Sequence, residues 1–402
     1  MDVKKPFAGI RVVDLSTYIA APVAGRMLAD WGAEVIKVEP LEGDIWRWYG
    51  PTVHVPANDE ENPLFDDTNA NKQGIALNLR NPKAVEAFKK LLGTADIFLT
   101  NNRESSLKKM GLDYDSLKDI YPSMIYAQVT GYGEVGPDKD LPGFDTVAHF
   151  ARTGFTGDFS EASGWLMTAP GGWGDMSCGT TLFGAMCAAL FARERNGGKG
   201  DKVTVSLMGS GIWFGSVQNI ATQECYGEPY PKMRDMTDPF LCTYKCKDGR
   251  WIMMSLLNFK AQWEPFCDAM GIPEGKNWSR DDVLTKRPEA QAMIGGAFAK
   301  LDSEEAVQIL NKISIVQTIV AHFSDNAKDE HAHINDFMRK ITLDNGREIS
   351  MPMNAIKSRN LGNYPYRRGP LLGENTDAVL KTLGYTDEEL AAMKEEKAIS
   401  QK

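Results

Sequence analysis

Residues 10–39, IRVVDLSTYIAAPVAGRMLADWGAEVIKVE, decide the fold class of this chain. Residues 10–15 and 34–39 are short runs rich in β-branched side chains, which favour strands. The segment between them is a turn followed by a helical stretch that reaches about Asp30. Because a helical connection leaves the two strands it joins parallel, this stretch predicts a βαβ unit.

The loop after the first predicted strand, STYIAAP at residues 16–22, bears on the question of a cofactor. It lacks the G-x-G-x-x-G pattern that brings a pyrophosphate to the start of a helix. Glu39 ends the second strand, where a ribose-binding acid would stand. Without the glycines, however, nicotinamide binding has poor support.

Strands and helices continue to alternate over the first 130 residues. A helix is predicted to begin at Asn81-Pro82, because Asn is a good N-cap and Pro suits the first helical position. A shorter helix is predicted near Leu117. Further strands are predicted at residues 75–79, 97–100 and 124–130. This alternation is typical of a doubly wound α/β sheet.

The second half of the chain is less regular. Residues 202–207 (KVTVSL) predict another strand, and the looser pattern from about Met208 to Pro239 indicates a linker into a second unit. In that unit a strand is predicted at residues 251–256. Helical stretches are predicted at residues 261–270 and 303–313, and a third is predicted before Pro352. The tail after Pro370 contains two amphipathic helices, whose leucines should pack back on the body of the protein.

Residues 167–196, MTAPGGWGDMSCGTTLFGAMCAALFARERN, form the candidate catalytic segment. A glycine-rich loop brings Asp175 to the start of a helix that is apolar on almost every face and should therefore be buried. Asp175 could be the N-cap, accepting a backbone N–H of the first turn. It could also be a nucleophile, kept ionised by the orphan N–H groups and the helix dipole. The glycines would let a substrate approach closely, which capping alone does not require.

The composition excludes several classes of function. Among 402 residues, 45 Lys and Arg face 54 Asp and Glu, and the formal net charge of -9 argues against nucleic acid as the main partner. With no signal-peptide pattern and no apolar run of about 18 residues, we expect a cytoplasmic protein without a membrane segment. Its six cysteines should then be reduced thiols. Cys242 and Cys246 have no second pair, so no metal site is predicted.

Six motifs in the same order, spanning almost the whole chain, together resemble class III CoA-transferases of the formyl-CoA transferase type. They are residues 9–44, NANKQGIALNL, GYGEVGPDKDLPGFD, Gly174-Asp175, GKGDKVTVSL and PLLGENTDAVLKTLGY. Within that family, YIAAP, DWGAEVIKVEP, the GFD of residues 143–145 and TYKCKDGRWI are most similar to the (R)-2-hydroxyacyl-CoA transferases. Those enzymes of amino-acid-fermenting anaerobes act on 2-hydroxyisocaproate or phenyllactate.

The resemblance implies an interlocked homodimer in which each subunit is an open ring. Both chain ends would build a Rossmann-like, doubly wound α/β large domain, into which a smaller α+β domain is inserted through long linkers. In this chain the large domain would take residues 1–208, which include the catalytic Asp. A linker at 209–238, a small domain at 239–325, and a return linker with the rest of the large domain at 326–402 would follow.

The resemblance also implies the site. Asp175 matches the catalytic aspartate, and a CoA thioester is the substrate, with no permanently bound cofactor and no metal. The backbone near Ile19 would stabilise the acyl oxyanion, and Arg80, Arg103 and Lys109 suit the phosphates of CoA. The implied CoA-binding residues are Ile19, Ala20, Leu77, Asn78, Arg80, Asn101, Asn102, Arg103, Lys109, Gly131 and Tyr132.

The chain departs from the family pattern at two places. Pro40 stands where many relatives have an Arg, so the contacts to adenine or phosphate there are expected to differ. The four-glycine lid of the formyl-CoA transferases is not found around residues 230–245, so closure over the substrate is expected to differ as well.

In the expected reaction the carboxylate of Asp175 attacks the thioester to give a mixed anhydride, and the CoA thiolate then forms an aspartyl-CoA thioester. The acceptor would open that thioester and take the CoA. We expect the acceptor to be a monocarboxylic acid with a hydroxyl or an apolar side chain, in preference to oxalate or succinate.

Two alternatives stay open. An acyl-CoA racemase or epimerase of the same fold needs a general base on each side of the reacting carbon, and such relatives carry a His where this chain has Phe144. His149 lies nearby in the chain. A non-catalytic CoA-binding partner of a 2-hydroxyacyl-CoA dehydratase would have no use for the Asp175 carboxylate. Association of the enzyme with such a dehydratase is a further expectation.

Overall fold

The computed structural model describes residues 5–159, 166–226, 238–359 and 364–402. The chain forms two compact units. Unit 1 comprises Met1–Gly157, Thr168–Glu228 and His331–Lys402, and unit 2 comprises Asp158–Met167 and Pro229–Glu330. Both ends of the chain therefore belong to one unit. Of the predicted linker at 209–238, residues 209–226 carry helices within unit 1, and residues 227–237 lie outside the described ranges.

The bounds of the regular elements are as follows. The strands are β1 (Arg11–Leu15), β2 (Glu34–Glu39), β3 (Gln73–Leu77), β4 (Ile97–Thr100), β5 (Ile125–Thr130), β6 (Lys202–Ser206), β7 (Leu241–Lys245), β8 (Trp251–Ser255), β9 (Val316–Ile319), β10 (Met338–Thr342), β11 (Glu348–Pro352) and β12 (Ile399–Ser400). The α-helices are α1 (Ala20–Asp30), α2 (Pro63–Asn69), α3 (Pro82–Leu92), α4 (Glu104–Met110), α5 (Tyr114–Leu117), α6 (Phe155–Asp158), α7 (Trp173–Arg195), α8 (Leu207–Phe214), α9 (Ser216–Ala221), α10 (Phe259–Met270), α11 (Arg280–Thr285), α12 (Arg287–Phe298), α13 (Ser303–Lys312), α14 (Phe323–Asn326), α15 (Glu330–Ile334), α16 (Thr376–Thr382) and α17 (Asp387–Glu395). Short 3₁₀ turns lie at Ile45–Trp48, Gly50–Val53, Glu224–Tyr226 and Pro273–Gly275, and a π-helical segment lies at Asp145–Ala151.

Unit 1 is organised around a seven-stranded sheet with the order β12-β3-β2-β1-β4-β5-β6. Every neighbouring pair is parallel except β12 with β3. The order 3-2-1-4-5-6 is that of a doubly wound sheet, so the predicted mixed α/β fold with a large parallel sheet is confirmed. The direction of strand order reverses between β1 and β4.

The two faces of the sheet are covered by different helices. Val12 packs among residues of α1 and α7, whereas its neighbour Val13 packs among residues of α3, α16 and α17. Because successive side chains of a strand point to opposite faces, a run of apolar residues such as Val12-Val13 suits a strand that is buried on both sides.

The C-terminal tail is part of this core. Val379, Leu380, Leu390 and Met393 are buried in the cluster that covers β3, and Ile399 pairs with Leu77. The leucines of the tail thus find their partners within the same chain, as predicted. Because α16, α17 and β12 bury apolar residues of the tail locally, the tail by itself does not require a second subunit.

Helix α7 differs from its prediction in one respect. Its 23 residues pack against α1 through Cys178, Leu182 and Met186, but Trp173 is 65% exposed and Phe191 is 60% exposed. The helix therefore has an apolar face that the described residues leave exposed. By length and hydropathy α7 would also qualify as a membrane span, but core helices meet the same criterion, which makes it weak evidence.

The remaining sheets are small and antiparallel. In unit 2, β7, β8 and β9 form a three-stranded sheet whose core includes Phe240, Trp263 and Phe266. In unit 1, β10 and β11 form a hairpin where the sequence predicted a helix before Pro352. The short helices α14 and α15 do precede Pro352, but the residues directly before it are strands, because Asn345-Gly346 closes a tight turn between them, with Gly346 at φ +80°.

Candidate active site

A cleft of about 380 Å³ lies at the carboxyl ends of the parallel strands. Thr17 and Tyr18 follow β1, Asn101 follows β4 and Gly131 follows β5, and all four line the cleft. Since β1 and β4 are the strands between which the order reverses, the cleft sits at the switch point where doubly wound sheets bind their ligands. Asp175, in the first turn of α7, lines the same cleft.

The carboxylate of Asp175 does not cap its helix. The N-cap of α7 is Gly172, at φ +93°, and Asp175 is the third helical residue. Within the described part of the chain it has no hydrogen-bond partner. Burial raises the pKa of Asp175 to about 7, and the nearby negative charge of Asp145 adds to the rise. Both the capping prediction and the expectation of a carboxylate kept ionised by the helix start were therefore wrong.

Asp145, and not Asp175, accepts hydrogen bonds from backbone N–H groups at the start of α7. Its Oδ2 accepts the N–H of Gly172 at 2.7 Å and the N–H of Gly174 at 3.1 Å, and its Oδ1 accepts the N–H of Thr146 at 2.7 Å. Its side chain is buried, with 3% exposure. Two N–H groups at the start of α7, those of Gly172 and Gly174, are thus used by an acid from the π-helical segment.

His149 lies one turn further along that segment and does not line the cleft. Its Nδ1 is 3.2 Å from Ser210 Oγ, and its ring stacks on Phe155. Burial lowers the pKa of His149, against the attraction of Asp145, so the imidazole is neutral near pH 7. Burial also raises the pKa of the Cys178 thiol, one turn after Asp175, to about 12, so this thiol is not a nucleophile near neutral pH.

The loop after β1 is fixed in an uncommon conformation. Tyr18 has φ +62°, which few residues other than glycine adopt. The side chain of Asn101 accepts the N–H of Thr17 at 3.0 Å and donates to the carbonyl of Thr17 at 2.8 Å. Asp44 accepts the N–H of Tyr18 at 3.2 Å. The surrounding bonds therefore hold the loop that leads into α1, as expected where a strained backbone conformation persists.

Buried charged side chains also hold the loop after β1 in place. Lys37 donates to Asp44 at 2.9 Å and to the carbonyl of Ser16 at 2.9 Å, with both charged side chains fully buried. At the end of β2, Glu39 makes two bonds of 2.7 Å to the guanidinium of Arg47. Glu39 is therefore engaged within the protein, which agrees with the poor support for a ribose-binding acid.

The cleft is lined by both basic and acidic side chains. Three lysines of the lining have acidic neighbours: Lys108 lies 3.5 Å from Glu104, Lys139 lies 4.0 Å from Asp140, and Lys202 pairs with Glu134. Arg103 is exposed and has no ion-pair partner among the described residues. It is thus the cation of the lining that is most available to an anionic ligand.

Some of the predicted CoA-binding residues are brought together with Asp175 and some are not. The cleft is lined by Ala20, Asn101, Asn102, Arg103 and Gly131. The predicted residues absent from its described lining are Ile19, Leu77, Asn78, Arg80, Lys109 and Tyr132. Asn78 donates to the carbonyl of Lys397 at 3.1 Å, and Leu77 is buried against β12, so this strand end is joined to the tail. Arg80 and Lys109 are exposed.

Sequence reasoning missed several residues of the site. Tyr18, Gln128, Lys139 and Lys202 line the cleft, and Asp145 binds the turn that carries Asp175. Gln128 is 2% exposed, and its Oε1 has no partner among the described residues. The signal for Asp145 was present in the GFD motif, but nothing local linked this acid to a helix that begins almost thirty residues later.

Fold and site together define an α/β protein with a cleft at the switch point of its sheet, into which a half-buried carboxylate and an exposed arginine project. The model of CoA-transferase family III matches residues 7–376, and the chain belongs to this family. It is therefore a CoA-transferase by family, and acyl-CoA thioesters are the substrates of such enzymes. Among the described residues, no group of acids, histidines and cysteines is arranged to hold a metal ion.

Individual relatives agree with this assignment. The chain is 39% identical to (R)-2-hydroxy-4-methylpentanoate CoA-transferase of Clostridioides difficile, over 97% of this chain and 98% of that protein. It is 36% identical to cinnamoyl-CoA:phenyllactate CoA-transferase of Clostridium sporogenes, over 98% and 97%. Among solved structures, a CaiB/BaiF family protein from Brucella suis matches with a TM-score of 0.81 at 25% identity, covering 95% of this chain and 100% of that one.

Proposed function

We propose that this enzyme transfers CoA from an acyl-CoA to a free 2-hydroxy acid with an apolar side chain, with Asp175 as the nucleophile. The substrate class is supported by the two relatives named for 4-methyl-2-hydroxypentanoate and phenyllactate, each similar over nearly its whole length. The observation that carries the mechanism is the Asp175 carboxylate, which lines the cleft and makes no hydrogen bond within the described protein.

The proposed reaction balances without any further reactant. An oxygen of Asp175 attacks the thioester carbon, the C–S bond breaks, and the CoA thiolate leaves a mixed anhydride. The thiolate then attacks Cγ of Asp175, which releases the donor carboxylate and forms an aspartyl-CoA thioester. The acceptor carboxylate attacks Cγ and expels the thiolate, giving a second anhydride. Attack of the thiolate on the acceptor's acyl carbon forms the new acyl-CoA and restores Asp175.

Two features of the cleft suit this sequence. Ala20 lies in the first turn of α1, where backbone N–H groups have no intrahelical acceptor, so its N–H is a candidate donor to the oxyanion of the tetrahedral intermediate. Arg103 would bind a phosphate of CoA and so retain the thiolate while the anhydride exists.

Replacement of the nucleophile tests the proposal. Asp175→Asn should reduce the exchange of labelled CoA between two acids by several orders of magnitude while CoA binding survives, because an amide cannot form the anhydride. In the wild-type enzyme, acyl-CoA alone followed by hydroxylamine should modify the peptide that contains Gly174 and Asp175. As a matched control, Asp66→Asn removes a buried carboxylate that lines a different cavity, and it should stay near wild-type activity.

The same assay separates the alternatives. A racemase would exchange the proton next to the thioester without moving CoA, but Phe144 has no titratable group and His149 is outside the cleft lining. A non-catalytic CoA-binding chain would show no exchange at all. Full exchange activity in Asp175→Asn, or a label on another residue, would refute the proposed mechanism.

We further propose that the enzyme is a homodimer, interlocked as the family resemblance implies, and that it works in the cytoplasm. The uncovered apolar face of α7 supports a second subunit, and six free thiols suit a reducing compartment. Functional association with a 2-hydroxyacyl-CoA dehydratase stays a prediction. Co-purification of the two proteins from cells that make both would support it, and separate elution at physiological salt would count against it.

A further inference from the structure

Two carboxylates meet at the start of α7, and they differ in their hydrogen bonding. Asp145 Oδ2 accepts the N–H of Gly172 and of Gly174, the residues that flank Trp173 at the turn before Asp175. Asp175 itself accepts no hydrogen bond from the described residues. The first acid therefore fixes the backbone that presents the second acid to the cleft.

The packing leaves Asp145 little freedom to move away. A Cβ atom placed on Gly174 would lie 2.8 Å from Cβ of Asp145, 2.8 Å from Cγ of His149 and 2.9 Å from Cβ of His149. The backbone of Gly174 is thus seated directly on the π-helical segment Asp145–Ala151. Only glycine permits this approach, and it brings the charge of Asp145 close to Asp175.

Among the described residues, the titratable groups packed around the two acids are uncharged near pH 7. The titratable neighbours on the packed elements are His149 on the π-helical segment, which is neutral near pH 7, and Cys178 on α7, which keeps its proton. Helix α8 contributes the uncharged Ser210, and the first turn of α1 has no charged residue. Within the described residues, neither Asp145 nor Asp175 forms an ion pair.

We propose that Asp145 is a positioning residue for the transfer reaction: its hydrogen bonds hold the turn that aims Asp175, and they place its negative charge beside the attacking carboxylate. This inference rests on the proposed role of Asp175 as nucleophile. The negative charge of Asp145 also raises the basicity of the Asp175 carboxylate. A more basic carboxylate attacks the thioester faster, but it stays protonated, and so inactive, up to a higher pH.

The two effects can be separated by two substitutions. In Asp145→Asn the amide oxygen still accepts the N–H groups of Gly172 and Gly174, so the charge is lost and the aim of Asp175 is kept. The amide NH2 group that replaces Oδ1 cannot accept the N–H of Thr146, so that one hydrogen bond is lost. In Asp145→Ala the hydrogen bonds are lost together with the charge, and the turn is no longer fixed.

The readout is kcat as a function of pH, together with the rate at which acyl-CoA alone labels Asp175. For Asp145→Asn we expect the acid limb of the profile to move down by about one pH unit, because removal of a like charge makes Asp175 easier to ionise. At high pH the labelling should be slower than in the wild type. For Asp145→Ala we expect the same move of the acid limb and, in addition, a fall of about 100-fold in kcat on the plateau above it, with the affinity for free CoA unchanged, since misplacement of a reacting group costs about this much.

Asp66→Asn again serves as the control, because it removes a buried acid that also accepts a glycine N–H, from Gly369 at 2.7 Å. It should leave the acid limb in place. If Asp145→Ala does not fold, Asp145→Asn alone decides the question. An unshifted acid limb in Asp145→Asn, with Asp175 still labelled in the wild type, would overturn the inference and leave the proposed function intact. Absence of a label on Asp175 in the wild type would instead overturn the proposed function.

Discussion

At the scale of single residues, the cleft holds a carboxylate in conditions that oppose its ionisation. Asp175 is partly withdrawn from water and lies near a second acid, and the pKa of about 7 that results leaves it only partly ionised at neutral pH. Transfer should therefore slow as the pH falls through 7. The same conditions make the ionised carboxylate more basic. A smaller fraction of the enzyme is therefore ionised at neutral pH, but that fraction attacks the thioester faster.

The raised pKa of Asp175 has a measurable effect on stability. In the unfolded chain this carboxyl titrates near 3.8, so between pH 4 and 7 the unfolded state ionises while the folded state keeps its proton. Stability is thus lost as the pH rises through this window and is constant above it. Asp175→Asn cannot ionise, so it should gain free energy of unfolding relative to the wild type over the same window, up to about 4 kcal/mol above pH 7.

Urea unfolding at pH 4, 5.5 and 8 measures this gain. Asp66→Asn is again the comparison. Burial raises the pKa of Asp66 to about 6, so the gain in free energy of unfolding for Asp66→Asn should stop increasing about one pH unit below that for Asp175→Asn. An equal change in stability at all three pH values for Asp175→Asn would show that the folded-state pKa of Asp175 is not raised.

At the scale of elements, local signals predicted much of the fold. The strand at Glu34–Glu39 and the helix that begins at Pro82, capped by the side chain of Asn81, lie where the sequence placed them, because both depend on neighbouring residues only. The hairpin of β10 and β11 was missed because its Asn-Gly turn was not weighed against helical spacing. The role of Asp145 could not be predicted from the sequence, because its hydrogen-bond partners Gly172 and Gly174 come close only when the π-helical segment packs on α7.

The contact between α1 and α7 can be tested through one glycine. A Cβ on Gly179 would overlap the carbonyl oxygen of Ala20 and the side chain of Val23, so the two helices must separate in Gly179→Ala. We expect a loss of about 1–3 kcal/mol in the free energy of unfolding, as for other overpacked cores. Because Ala20 lines the cleft, kcat should fall as well.

The matched control for Gly179→Ala is the same substitution in an open position. Gly296 lies in α12, is exposed, and has no atom within 4 Å of where its Cβ would be. Gly296→Ala should stabilise unit 2 by about 0.5–1 kcal/mol, since alanine favours helices. If both substitutions stabilise the protein, the close approach of α1 and α7 at Gly179 is not a real constraint.

At the scale of the whole molecule, the described part of unit 1 exposes several large apolar side chains on α7, α8 and α9. Besides Trp173 and Phe191 on α7, the exposed residues include Trp213 at 73%, Val217 at 69% and Ile220 at 55%, all on α8 and α9. Because α7 packs against α8 and α8 against α9, these exposed apolar side chains lie on neighbouring helices, as in an interaction surface. This face supports the proposed homodimer better than the tail does, because the leucines of the tail are buried within the chain.

Sedimentation at micromolar concentration tests the dimer. The wild type should sediment as a dimer, with an interface of about 2,000 Å² or more as in obligate pairs. The double variant Val217→Asp with Ile220→Asp should dissociate, because the interface would bury two unpaired charges. Ile120→Asp, at a position 63% exposed in the loop before β5, is the control and should remain dimeric. A monomeric wild type would refute the dimer.

Because both ends of the chain contribute to one core, that core cannot be completed until the C-terminal helices have been synthesised. Strand β3 and helix α3 emerge from the ribosome early, but the helices that cover them, α16 and α17, follow roughly 280 residues later, which at about 5–20 residues per second is a wait of about 15–60 s. During translation the apolar side of β3 and its open edge stay exposed to other nascent chains. The main segment of unit 2, residues 229–330, is complete well before then. The large unit should therefore depend on chaperones that bind the growing chain, and slowing translation near residue 370 should increase its aggregation.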